Sequence, residues 1–135
     1  MIEALVFPDT RACLFDLIDE AEHLGNPVRA VYRLPTDSRG ALEEPFPIAL
    51  IYTMGGTEGY VDRVDRVTIE VYAPGEQAVN TLESIRASIV GDSIETPSGY
   101  LDEIAVESVP TEVPYISDKL NKAEARFLVT SRPIT

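Results

Sequence analysis

Val67-Thr68-Ile69-Glu70-Val71-Tyr72-Ala73-Pro74-Gly75-Glu76-Gln77-Ala78-Val79 changes its hydrophobic period partway along. Over residues 67–73, Val67, Ile69 and Val71 alternate with Thr68, Glu70 and Tyr72, the two-residue repeat of a strand. Pro74-Gly75 ends that repeat. Ala78, Val79, Leu82, Ile85, Ala87 and Ile89 then recur at helical spacing as far as Gly91, which offers a terminator. An amphipathic helix of this kind needs an apolar sheet face to lie on.

The neighbouring segments supply the sheet. Upstream, residues 47–54 read PIALIYTM, an almost unbroken apolar run that predicts a central strand buried on both faces. Gly55-Gly56-Thr57-Glu58-Gly59 interrupts it, and a strand over residues 60–73 returns as the second arm of an antiparallel hairpin. Val61 and Val64 differ in parity, which predicts a bulge near residues 63–66. Downstream, residues 104–109 alternate weakly and stop at Pro110. Ala123, Ala125, Phe127, Val129 and Ser131 alternate with polar residues through 132, a closing strand with one apolar face.

The N-terminal part opens with a second amphipathic pattern. Pro8-Asp9-Thr10 carries a capping side chain. Cys13, Leu14, Leu17, Ile18, Ala21 and Leu24 follow at three- and four-residue spacing before Gly25 and Pro27, which predicts a helix of about four turns. A short strand over residues 28–33 comes next. The order is helix, three strands, helix, two strands. The expected fold is α+β: a single two-layer domain over residues 1–135, with a mainly antiparallel sheet of about four to five strands and two amphipathic helices packed on one face.

Composition narrows the function classes. The chain has 135 residues, 44% of them hydrophobic, and a formal net charge of -12, so it holds one globular domain. That charge repels phosphate backbones and anionic lipid heads, and the 11 basic residues are scattered. No run approaches the roughly 18 consecutive apolar residues of a membrane span. Met1-Ile2-Glu3-Ala4 lacks the positive region of a signal peptide, so folding inside a cell is expected.

Candidate chemistry is sparse. The lone cysteine, Cys13, reads as a small buried hydrophobe, and the lone histidine, His23, stands ten residues along the expected helix, about 15 Å away. The 55–59 glycine run is followed by a strand and no lysine, so it reads as a hairpin turn and not a phosphate cradle. Asp62, Asp65 and Glu70 match no calcium-loop spacing and read as a solvated strand face. Asp16, Asp19, Glu20 and Glu22 read as the hydrated face of the first helix. Ser84, Ser88 and Ser93 show no histidine or lysine partner. No catalytic, cofactor-binding or metal-ligating residue is assigned. Two segments read as contact surfaces. Residues 34–45 form a long polar loop carrying Arg39, Glu43 and Glu44, either a disordered excursion or an arm toward a neighbouring subunit. Tyr115 and Ile116 lie between prolines, either interface anchors or packed on the chain's own core.

Taken together, four stretches resemble the tail terminator, or tail-to-head joining, proteins of long non-contractile-tailed bacteriophages. These are the opening helix of residues 8–25 running into Val28-Arg29-Ala30-Val31-Tyr32; the strand Pro47-Ile48-Ala49-Leu50-Ile51-Tyr52 before Gly55-Gly56; the strand-to-helix passage of residues 67–78; and Pro114-Tyr115 before Ala125-Arg126-Phe127-Leu128-Val129. The likeness spans nearly the whole chain and is one of arrangement and composition. It implies a six-subunit ring on the last ring of tail tube protein, which ends tail elongation and presents a surface to the head-side connector. DNA would pass through the channel without specific binding. It also implies assembly in the host cytoplasm, a place at the head-proximal end of the virion tail, and no catalytic residue. Two other readings stand beside it: another neck or minor tail component, or a small cellular ligand-binding α+β dimer.

Overall fold

A computed structural model describes residues 6–59, 61–117 and 119–134. Met1–Ala4 and Tyr60, where the sequence pattern opens the chain and the long strand, lie outside the described residues. The elements run α1 (Thr10–Ile18), β1 (Glu22–His23), β2 (Asn26–Pro27), β3 (Arg29–Val31), β4 (Ile48–Glu58), β5 (Arg63–Ala73), α2 (Gln77–Ile89), β6 (Gly91–Thr96), β7 (Gly99–Val113) and β8 (Asn121–Ser131). Half of the described residues are strand and 17% are helix.

This corrects the expected fold class. The main sheet has six strands in the order β3-β4-β5-β8-β7-β6, and β1 and β2 form a separate two-stranded sheet. The main sheet is mixed, because β3 runs parallel to β4, with Arg29 opposite Ile48 and Val31 opposite Leu50. A parallel neighbour needs a crossover back to the same end, and residues 32–47 provide it.

Three local features account for the difference. First, α1 stops at Ile18 and not near Gly25. Asp19 takes extended angles, and its carboxylate accepts the Ala30 N–H at 3.0 Å. Residues 22–27 fold into a tight hairpin whose two loop residues, Leu24 and Gly25, have φ values of 55° and 83°. Positive φ at both central positions is the turn that suits a two-residue hairpin. Ala21 and Leu24 fit the helical period by coincidence, and Leu24 is exposed. Second, the polar stretch Gly91-Asp92-Ser93-Ile94-Glu95-Thr96 forms strand β6, turning at Pro97-Ser98 into β7. Its outer edge is free, so it carries no apolar alternation. Third, β7 runs through Pro110 to Val113. Its register against β8 shifts between Val106 and Ser108 and again between Ser108 and Thr111. Beyond Ile104 no described strand lies on its other side, so a proline is tolerated there and the bulges discourage edge-to-edge pairing.

The core lies between the sheet and both helices. Val67, Ile69, Val71, Ala123, Ala125, Phe127 and Val129 face Cys13, Leu14 and Ile18 of α1 and Ala78, Leu82 and Ile85 of α2. Full burial of a side chain such as Phe127 stabilises the fold by about 1.5–3 kcal/mol. The strand buried on both faces is β5, from Val67 to Ala73, rather than β4. β4 has only three-residue β3 beyond it, and its second half is exposed. Helix α1 touches β3 and β4 near one edge of the sheet and β6 and β7 at the other, which requires the sheet to curl around it. Asp16 closes the far side by accepting the Ser98 N–H at 3.0 Å and the Ser98 hydroxyl at 2.5 Å.

The bulge falls on β4, not on β5. Register shifts between Thr53 and Gly56, while β5 pairs without interruption to β8. Gly55 takes φ 82°, and a Cβ on Gly56 would lie 1.9 Å from the Val64 carbonyl oxygen. Gly56→Ala is therefore expected to lower stability by about 1–3 kcal/mol in urea unfolding; an unchanged midpoint would show that β4 shifts at no cost.

His23 is buried and its Nδ1 lies 2.8 Å from Ser84 Oγ, tying the β1–β2 hairpin to α2. Burial lowers its pKa from the ordinary 6.5. The folded state then binds fewer protons than the unfolded chain below that pH, so the contribution is complete above about pH 6.5 and is lost as pH falls. A melting-temperature decline between pH 7.5 and 5.5 that shrinks in His23→Gln is expected. Equal declines in both proteins would remove His23 from the account.

Candidate functional site

The long loop and the late connector meet at one end of the sheet. Residues 34–45 are not an open excursion. The Asp37 carboxylate accepts the N–H groups of Arg39 at 2.8 Å and Ala41 at 3.1 Å, a side-chain-built turn. Thr36 bridges Leu42, and the Glu43 N–H donates to the Pro35 carbonyl at 2.9 Å. Arg29 in turn donates from Nη2 to the Glu43 carbonyl at 3.2 Å, anchoring the loop to β3.

The connector approaches from the other side. Tyr115 is half-buried and meets Tyr72 edge-on, with ring centroids 5.1 Å apart and planes at 70°. Between loop and connector lies a groove of about 440 Å3, walled by Leu42, Glu44, Phe46, Tyr115, Ile116 and Leu120, with Lys119 at its margin. The structure thus brings Glu44, Tyr115 and Ile116 to one surface. Glu43 stands beside it, holding the loop through its backbone. Arg39 sits exposed at the loop tip, with no side-chain hydrogen bond or salt bridge among the described residues. Ile116 is fully exposed, so packing on the chain's own core applies to Tyr115 only.

Under this surface the sheet carries a polar network that sequence spacing did not reveal. Glu70 is 6% exposed. Its carboxylate accepts from Tyr72 at 2.9 Å and Tyr52 at 3.1 Å, and Lys122 Nζ lies 3.1 Å away. Burial and the adjacent Glu70 carboxylate raise the Tyr72 hydroxyl well above the usual tyrosine range, and the Tyr52 hydroxyl in the same direction. Both phenols therefore stay protonated and keep donating. Asp65 is buried as well. It accepts from Thr10 at 2.6 Å and pairs with Arg63 at 3.2 Å. Asp65 and Glu70 are therefore internal structural carboxylates, contrary to the solvated strand face expected of them. Asp16 and Asp19, expected on a hydrated helix face, also spend their carboxylates on backbone groups of the sheet.

The nucleophile candidates resolve similarly. Cys13 is buried in the core, and burial raises its thiol pKa, so it stays protonated. The His23–Ser84 pair was missed because α1 ends early and β1 swings His23 across to α2. Its imidazole is neutral at pH 7, yet neither residue lines the grooves described here, and the contact ties hairpin to helix. Among the described residues, no three His, Cys, Asp or Glu side chains converge as a metal site. No described helix is long and apolar enough to cross a membrane.

Tyr115 and Ile116 make separable contributions. Tyr115→Ala is expected to destabilise the fold by about 1–2 kcal/mol through the lost aromatic pair and its burial. Ile116→Ala is expected to stay within about 0.5 kcal/mol of the unaltered chain. Thermal unfolding of both variants checks this, and a large loss for Ile116→Ala would place that side chain in the core. No protein-family model matches the chain, and no curated protein matches it either.

Proposed function

We propose that this chain is a structural virion protein that caps a phage tail tube, ends its elongation and forms the joint to the head connector. The observation that carries this reading is the distribution of exposed large apolar side chains. Met54 and Val61 stand on the β4–β5 hairpin, Val109 on the half of β7 that pairs with β8 alone, and Ile116 beside the loop groove. Three separate projections of one small domain each carry an apolar anchor, and such side chains mark contact surfaces. A ring subunit that meets its own copies, a tube below and a connector above needs several such surfaces. A dimer needs one.

The net charge of -12 suits a channel that DNA crosses without adhering. In this reading the chain forms a homo-hexameric ring at the head-proximal end of the tail, assembled in the host cytoplasm. A place elsewhere in the neck uses the same surfaces.

One observation favours a small-molecule-binding module instead. A groove of about 490 Å3 lies between α1, β3 and the loop, walled by Phe15, Pro27, Val28, Ala30 and Pro35. Arg29 Nε is buried beside it with no hydrogen-bond partner among the described residues. Concave apolar walls with a few polar groups, here Asp19, Glu20 and Arg29, are the usual form of a ligand site.

Light scattering after size exclusion, negative-stain imaging and binding to purified tail tubes separate these readings. A ring of about six subunits with a central hole, found at one end of each tube, is the expected result. A compact dimer at every concentration that ignores tube ends would overturn the tail reading in favour of the ligand-binding one.

A further inference from the structure

The β1–β2 hairpin buries a single side chain. Of residues 22–27, Glu22, Leu24, Gly25, Asn26 and Pro27 are exposed, and His23 alone is buried, at 6% exposure. His23 is also the only histidine of the sequence. Its Nδ1 lies 2.8 Å from Ser84 Oγ on α2. The root of the hairpin is fixed separately. The Glu20 N–H donates to the Val28 carbonyl at 2.7 Å, the Val28 N–H donates to the Ala21 carbonyl at 3.0 Å, and the Val28 side chain belongs to the core. The hairpin tip therefore has a firm root and one docking point. A two-stranded hairpin is marginal in water by itself, so the order of this tip depends on that point.

We propose that the β1–β2 hairpin is an acid-released clasp, docked on α2 by the neutral His23 imidazole and freed when that ring takes a second proton. The surroundings offer the new charge no compensation. The elements packed on β1 are β2 and α2. Opposite His23 on β2 stands Asn26. On α2 the positions one turn from Ser84 are Asn80, Thr81, Ala87 and Ser88, none of them titratable. Glu83 and Arg86 of the same helix pair with each other at 3.1 Å, and Glu76 is exposed at its far end. On the hairpin side, Glu22 is exposed on the opposite face of β1, Glu20 is exposed at the root, and the Asp19 carboxylate holds the Ala30 N–H. An imidazolium at this position is a buried charge with no carboxylate partner among the described residues, which is strongly disfavoured. Burial lowers the His23 pKa from the ordinary 6.5, the direction this geometry demands. The docked hairpin binds fewer protons than the free one, so docking is complete above about pH 6.5 and weakens as pH falls below it. Release also reshapes a neighbouring surface. Pro27 of the hairpin lines the groove of about 490 Å3 beside β3, so the clasp opens one wall of that groove in acid.

Hydrogen exchange followed by NMR reads the clasp residue by residue. The amides of His23 and Asn26 face each other across the hairpin, while Ile69 on β5 and Phe127 on β8 report the core sheet. With intrinsic exchange rates divided out, protection of the His23 and Asn26 amides is expected to fall by about threefold to tenfold between pH 7.5 and 5.5, and that of Ile69 and Phe127 to hold. The upper limit is the roughly tenfold excess of imidazolium over imidazole one pH unit below the ordinary 6.5. The His23 ring of the unaltered chain, titrated in the same samples, is expected to have its midpoint below 6.5. His23→Gln has no titrating group at this position, so its hairpin protection is expected to be the same at both pH values, docked or free. Hairpin protection that ignores pH in the unaltered chain, an equal acid loss in His23→Gln, an equal loss at Ile69 and Phe127, or a ring midpoint at or above 6.5 would each overturn the proposal.

Discussion

Nine residues of helix hold the two sides of this sheet together. Helix α1 is too short to be stable alone in water, yet two of its side chains and that of its C-cap reach different parts of the sheet. Thr10 donates to Asp65 on β5, Asp16 accepts from Ser98 at the β6–β7 turn, and Asp19, which caps the helix, accepts from the Ala30 backbone on edge strand β3. These bonds do more than fasten the helix. They draw the β3 side and the β6–β7 side toward one axis, so the sheet curls and its concave face becomes a core around Leu14, Ile18 and Phe127. The Asp19 carboxylate also occupies a donor on the free edge of β3, which removes a site for unwanted strand pairing.

The second face of the sheet follows a different rule. No described helix lies over it, yet Thr68, Glu70 and Tyr72 are buried there. The cover comes from long side chains, from Met54 on Thr68, and from Tyr115 on Tyr72. A buried carboxylate is costly unless its oxygens are satisfied. Glu70 meets that condition with two phenols and one ammonium. The fold thus uses apolar packing on its concave side and a closed polar network on its convex side, and the network sits directly beneath the loop–connector surface.

That placement follows from the topology. The crossover of residues 32–47 exists because β3 and β4 are parallel, and a parallel pair needs a long return path. The path runs past the end of the sheet, where the Asp37-based turn stiffens it and the connector lies beside it. One topological requirement therefore creates both the loop and the wall of the groove. The exposed β4–β5 hairpin at the other end has an equally local origin, in a β4 strand that outlasts its outer neighbour.

Much of this was legible in the residues themselves. The alternation over 67–73, the closing strand with Phe127, the second helix and the absence of basic runs follow from periodicity and composition, because each depends only on residues close in sequence. The long loop before β4 was also legible in its run of polar residues and prolines, and the structure places Glu44, Tyr115 and Ile116 along one groove. The length of α1, the strand nature of residues 91–96, the parallel pairing of β3 and the burial of Asp65 and Glu70 were decided only in three dimensions. In each case a partner outside the segment itself overrides the local pattern. Asp19 ends α1 by bonding a residue eleven positions on, β7 recruits a polar segment as its edge, and Thr10 reaches Asp65 across 55 residues. Hydrophobic period records which face is wet, and a hydrogen bond to a distant partner leaves no trace in it.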